Sequence, residues 1–123
     1  MQDGKHVILC IDDDPDFLMA MRVILESNGF AIVEAGSAEE GLRAFTKCDP
    51  SAVLVDLMME EVDAGVNFVK ELKLLGSDVP VFMLSSVGDS FNEEADYNKL
   101  GLSGILQKPV GADALVTLLN TKL

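Results

Sequence analysis

The stretch Val7-Ile8-Leu9-Cys10-Ile11-Asp12-Asp13-Asp14 decides how the chain is read. An unbroken apolar run, rich in β-branched side chains, stops abruptly at consecutive carboxylates. Unbroken runs, as opposed to alternating ones, are expected where helices cover both faces of a sheet, as in parallel α/β proteins. Ala52-Val53-Leu54-Val55 and Val81-Phe82-Met83-Leu84 are runs of the same kind. Phe30–Val33 and Gly104–Leu106 are weaker candidates, expected as strands nearer the sheet edges.

Amphipathic stretches fill the gaps between these runs. The first helix is expected to start with Asp14 as N-cap and Pro15 at the first helical position. Phe17, Leu18, Met21, Ile24 and Leu25 then make one apolar stripe, and Gly29 is the natural stop. The second has Ser37 followed by Glu40, the spacing of a capping box, with Leu42 and Phe45 buried and Pro50 beyond its end. The third is predicted over Val66–Leu75, with Phe68, Val69, Leu72 and Leu75 inward and Gly76 as the stop. A fourth, less apolar helix is predicted within Asp89–Leu100. A fifth is predicted over Gly111–Thr121, with Leu115, Leu118 and Leu119 inward. Strands alternating with helices imply right-handed crossovers and a doubly wound parallel sheet.

Composition bounds the function. The chain has 123 residues, enough for one core, and 49% of them are hydrophobic, which excludes an acidic disordered tail. A formal net charge of -12 argues against direct binding to nucleic acid or anionic membrane, because phosphates are repelled. It suits cations and basic partner surfaces. Cys10 and Cys48 are too few for a disulfide scaffold and are expected to stay unbridged. Val7–Ile11 is too short for a signal-peptide core or a membrane span, so a cytoplasmic protein is expected.

In a doubly wound sheet the working site lies beyond the carboxyl ends of the strands. The residues just past each strand therefore matter most. Strand one leads into Asp12, Asp13 and Asp14, strand three into Asp56, strand four into Ser85 and Ser86, and strand five into Lys108 and Pro109. Strand two ends in Glu34-Ala35-Gly36, with less chemistry. Carboxylates gathered in one cleft repel and need a cation or a proton to coexist. Oxygen donors with retained waters are the pattern of Mg²⁺, which recruits phosphate oxygens. A hydroxyl and an ammonium on neighbouring strands can hold the remaining phosphoryl oxygens. A carboxylate in line with the phosphorus can then act as nucleophile. Asp14 is read as the helix cap only. His6 is read as a strand-end histidine without a chemical role.

The motifs ILCIDDDPDFL, AVLVDLMM, VFMLSS and GILQKP, spread over nearly the whole chain, resemble those of the receiver domain of two-component response regulators. The resemblance implies a flavodoxin-like (βα)5 fold, with a five-stranded parallel sheet in the order 2-1-3-4-5. From the length of 123 residues a single domain with a core of about 6–121 and no output domain is expected, either a stand-alone receiver or one cut out of a longer protein. Asp56 is implied as the phosphoacceptor, with Ser85 and Lys108 on the phosphoryl group. Asp12, Asp13, Asp56 and the backbone carbonyl of Met58 are implied as ligands of Mg²⁺ or Mn²⁺. A histidine kinase or histidine phosphotransfer protein is the implied donor, and small phosphodonors also serve. Phosphorylation would draw Ser85 inward and change the face made by the fourth helix, fifth strand and fifth helix. That face would engage an unnamed downstream protein or form a homodimer.

The sequence departs from the family pattern in three places. Glu60 stands at the proline position of the loop after Asp56, and Val62-Asp63-Ala64-Gly65 makes that loop longer and more acidic. Ile105 occupies the position of the aromatic switch residue, so that switch is absent. Met58 and Val87 are apolar where a hydrolytic water would be held, so autodephosphorylation is expected to be slow. Two other function classes remain open. One is an interaction module of the same fold that no longer uses phosphorylation. The other is a Mg²⁺ phosphohydrolase, disfavoured because Asp56-Leu57-Met58 lacks an acid two residues on and the length leaves no cap.

Overall fold

The computed structural model describes residues 4–56, 64–85, 103–107 and 110–123, and the side chains of 64–66, 85 and 107 lie outside that description. The strands are β1 (Val7–Ile11), β2 (Ala31–Ala35), β3 (Ala52–Asp56), β4 (Val81–Ser85) and β5 (Gly104–Gln107). The helices are α1 (Pro15–Ser27), α2 (Ala38–Cys48), α3 (Ala64–Leu74) and a C-terminal helix (Ala112–Lys122). The strands form one sheet in the order β2-β1-β3-β4-β5, and every neighbouring pair is parallel. The two weaker strand candidates are indeed the edges. The helix expected within 89–100 lies outside the described residues.

Side chains of a strand alternate between faces, so each strand feeds two separate cores. Ile8 and Cys10, Ala52 and Leu54, and Phe82 and Leu84 pack with Met21 and Leu25 of α1 and with Leu115 and Leu119 of the C-terminal helix. Leu9 and Ile11, Val53 and Val55, and Val81 and Met83 pack with Phe68, Val69 and Leu72 of α3, joined by Leu42 and Phe45 of α2. This is why β1, β3 and β4 read as unbroken apolar runs. Fully burying one such Leu or Ile is worth about 1.5–3 kcal/mol.

The helix ends reflect local chemistry. Asp14 caps α1, its Oδ1 accepting the Asp16 N–H at 3.0 Å, and Pro15 comes next at the first turn. Ser37 Oγ accepts the Glu40 N–H at 3.1 Å, while Glu40 Oε2 accepts from Gly36 at 3.1 Å. The capping box is therefore displaced by one residue: the return bond goes to Gly36 and not to Ser37. Gly29 and Gly76 both take left-handed φ, 86° and 78°, at the ends of α1 and α3. In each case the next N–H reaches back, Phe30 to the Leu25 carbonyl at 3.0 Å and Ser77 to the Leu72 carbonyl at 3.2 Å. These are Schellman closures.

Three expectations at the element level need correction. β2 runs over Ala31–Ala35, not Phe30–Val33, because its pairing with β1 continues to Ile11↔Ala35. Glu34 is tolerated inside it because an edge strand has a wet side, where Arg22 Nε donates to Glu34 at 3.2 Å. α3 begins at Ala64, two residues before the expected start. Leu75, expected inward, is 62% exposed. It immediately precedes the left-handed Gly76, where the chain leaves the helix and the 3.6-residue period no longer sets its direction.

Candidate functional site

Register brings the acids together. β1 and β3 pair through Ile11↔Val55, so Asp12, just past β1, and Asp56, the last residue of β3, come next on neighbouring chain segments. Asp12 continues the alternation of Ile8 and Cys10, and Asp56 continues that of Ala52 and Leu54. Both carboxylates therefore leave the sheet on the same side. Asp12 is 0% exposed and Asp56 6% exposed, and they are the buried charged residues among those described. Asp13 is exposed beside them. One carboxylate oxygen from each of Asp12, Asp13 and Asp56 lies within 4.8 Å of the others.

Asp12 is held from two sides. Its N–H donates to the Ala35 carbonyl of β2 at 3.0 Å. Its Oδ1 accepts the N–H of Asp14 at 2.9 Å. Asp12 and Asp14 thus form consecutive turns in which an Asp side chain takes the N–H two residues on. Sequence reasoning assigns Asp14 to the cap and misses its backbone link to Asp12. The Asp-x-Asp-x-Asp spacing of Asp12, Asp14 and Asp16 is the signal that could have found it.

Donor type and spacing fit a small hard cation. Octahedral Mg²⁺ with oxygens at about 2.0–2.1 Å places ligand oxygens about 2.9 Å apart when adjacent and about 4.1 Å apart when opposite. The three carboxylates are close enough to meet one such ion with a small contraction. Their mutual repulsion in a largely buried cleft favours a cation there.

The remaining expected site residues divide by what is described. Ser85 is the last residue of β4, paired with Gln107 of β5, and Leu84 just before it pairs with Asp56. The backbone therefore brings Ser85 one step beyond Asp56, on the adjacent strand. Ile105 is half-buried in β5, opposite Met83, and packs on the core that faces α2 and α3. Met58, Glu60, Val87, Lys108 and Pro109 lie outside the described residues. His6 is at the opposite, amino-terminal end of the strands, its Nδ1 3.0 Å from Ser51 Oγ, a link between the segments that lead into β1 and β3. Cys10 and Cys48 are not joined by a disulfide, and burial pushes the Cys48 thiol above its ordinary pKa. Among the described residues no helix is long and apolar enough to cross a membrane.

The profile of the response regulator receiver domain family matches residues 8–120. The chain belongs to this family. The receiver domain is 33% identical over 116 residues to the transcriptional regulatory protein GlrR of Escherichia coli (strain K12), covering 94% of this chain and 26% of that relative. It is 29% identical over 119 residues to the chemotaxis protein CheY of Bacillus subtilis (strain 168), covering 96% of this chain and 98% of that one. Among solved structures, a response regulator receiver domain protein from Clostridium thermocellum superimposes with a TM-score of 0.85 at 31% identity, covering 95% of this chain and 93% of that one. The receiver domain spans about a quarter of the length of GlrR and 43% of the transcriptional regulatory protein PrrA of Mycobacterium tuberculosis. The doubly wound sheet, its strand order and its place in two-component signalling are those expected from the motifs. As a receiver domain it belongs to a family of signalling switches.

Proposed function

We propose that this receiver domain accepts a phosphoryl group on Asp56 and thereby switches a protein-binding surface. The observation that carries the proposal is the meeting of the Asp12, Asp13 and Asp56 carboxylates at the carboxyl ends of β1 and β3. Asp12, Asp13, Asp56 and the Met58 backbone carbonyl would hold Mg²⁺, or Mn²⁺ in its place. The ion, when bound, supplies positive charge that lets an anionic phosphoryl group approach an anionic nucleophile.

The protein's own groups do the rest. An Asp56 carboxylate oxygen attacks phosphorus, and the new O–P bond forms as the P–N bond of a donor phosphohistidine breaks. The bonding pair returns to the imidazole, which takes up a proton. Ser85 and Lys108 donate to phosphoryl oxygens whose charge grows in the transition state. The donor is a histidine kinase or a histidine phosphotransfer protein. The output is a change in the face that includes β5 and the C-terminal helix, read by a downstream protein or by a second copy. The apolar Met58 and Val87 imply slow self-catalysed loss of the phosphoryl group. A single domain of about 6–121, acting in the cytoplasm, carries this role.

Incubation with radiolabelled acetyl phosphate and Mg²⁺ tests the assignment. The native chain should be labelled, and Asp56→Asn should not be. Equal labelling of Asp56→Asn would overturn the choice of nucleophile. Failure of the native chain to take label or to bind beryllofluoride with Mg²⁺ would favour an interaction module without phosphoryl chemistry.

A further inference from the structure

We propose that Asp14 is a positioning residue for the Asp12 carboxylate, acting through its hydrogen bonds and not through its charge. The inference rests on the reading of Asp12 as a metal ligand and adds a residue to it. The polar groups of Asp14 are engaged in one chain of bonds. Its carbonyl accepts the Leu18 N–H at 3.1 Å, the first bond of α1. Its Oδ1 accepts the Asp16 N–H at 3.0 Å. Its own N–H donates to Asp12 Oδ1 at 2.9 Å. The two helix bonds fix Asp14 at φ -97° and ψ 107°, the extended setting of an N-cap. That setting aims its N–H at Asp12.

The consequence is a division of labour among three consecutive acids. Asp12 and Asp13 present oxygens to the shared cluster, and Asp14 is outside it. Asp12, wholly buried, is gripped by β2 through its N–H and by the start of α1 through Oδ1. The side chain of Asp14 therefore ties the orientation of a buried carboxylate to the end of a 13-residue helix. Partners of this kind typically tune metal affinity by about 10- to 100-fold. Asn caps a helix as well as Asp does, and Ala does not, so the two substitutions separate hydrogen bonding from charge.

Two measurements on the full chain test this. Mg²⁺ titration is monitored by amide ¹⁵N–¹H shifts at about 0.15 M ionic strength, where exposed charges are screened beyond about 8 Å. Asp14→Ala should bind Mg²⁺ about tenfold more weakly. Asp14→Asn should stay within about threefold of the native chain, since it keeps the cap. Asn28→Ala removes the Asn28 Nδ2 bond to the Ile24 carbonyl at the other end of α1, and it should leave Mg²⁺ affinity unchanged. Equal weakening by Asn and Ala at position 14 would overturn the proposal in favour of a charge effect. Weakening by Asn28→Ala would reduce it to helix stability.

Hydrogen exchange at the position-14 amide, measured without metal, reads the same bond independently. Protection should fall in Asp14→Ala and persist in Asp14→Asn, and unchanged protection in Asp14→Ala overturns the proposal. Failure of the metal-site reading looks different. In that case Asp12→Asn binds Mg²⁺ as the native chain does, while the exchange result still decides the role of Asp14.

Discussion

At the scale of the residue, Gly41 shows what the sequence conceals. It is the fully buried position of α2, and a Cβ built there would lie 2.5 Å from Ile11 Cδ1 and 3.1 Å from Phe68 Cε2. Ile11 and Phe68 are themselves buried, so neither can step aside freely. Gly41 is thus the point where α2 comes close to the sheet, just under the Asp12 end of β1. Overpacking costs about 1–3 kcal/mol, and a helical Gly→Ala change returns only about 1 kcal/mol. Gly41→Val is expected to lose about 3 kcal/mol in urea unfolding, and a native-like midpoint would show that α2 can slide. From sequence Gly41 is only a glycine inside a helical pattern, because its reason is a partner about thirty residues away. Asp12, Asp13 and Asp56 are expected in one cleft because residues just past the strands of a doubly wound sheet converge, and their carboxylates do meet there. The Asp14 amide is not legible, because a backbone donor leaves no trace in residue identity beyond the Asp-x-Asp spacing.

At the scale of the element, helix ends are where local sequence speaks most directly. Asp14-Pro15 and the two stopping glycines perform as read, and Ser37 with Glu40 does so apart from its return bond, which goes to Gly36; each of these bonds spans only a few residues of chain. Gly29 and Gly76 differ from Gly41 in having nothing within 4 Å of a Cβ. Their role is conformational alone. Gly76→Ala should cost about 1–2 kcal/mol, a loss visible in thermal unfolding with no change in core packing. A loss as large as that of Gly41→Val would mean that the turn carries a contact as well. The misread ends have long-range causes. β2 extends to Ala35 because β1 offers pairing partners that far. α2 does end before Pro50, as read, but it closes on Asp49 at a left-handed φ of 48°, a non-glycine in that region. Nothing in the spacing of apolar residues signals that turn.

At the scale of the whole molecule, the net charge of -12 meets a sheet that gathers some of it in one cleft. A cation that binds the folded cluster and not the unfolded chain stabilises the fold by about 2.7 kcal/mol at about a hundred times its dissociation constant. Calorimetry should therefore show a larger rise in melting temperature with MgCl₂ than with NaCl at equal ionic strength. Asp12→Asn combined with Asp13→Asn should erase the difference, and equal rises in the native chain would mean screening alone. The doubly wound order was legible because apolar runs and amphipathic stretches alternate along the chain. The site's geometry needed the register. That register has an implication for how the chain tolerates change. A one-residue slip of β3 against β1 turns every side chain of β3 to the other face. Val53 and Val55 would then enter the core built for Ala52 and Leu54, and Asp56 would point away from Asp12. Misalignment of the chemistry is therefore always also a misfolding of two cores. A single-residue insertion or deletion in β3 should be detected and removed as an unstable protein before it could persist as a folded but silent one.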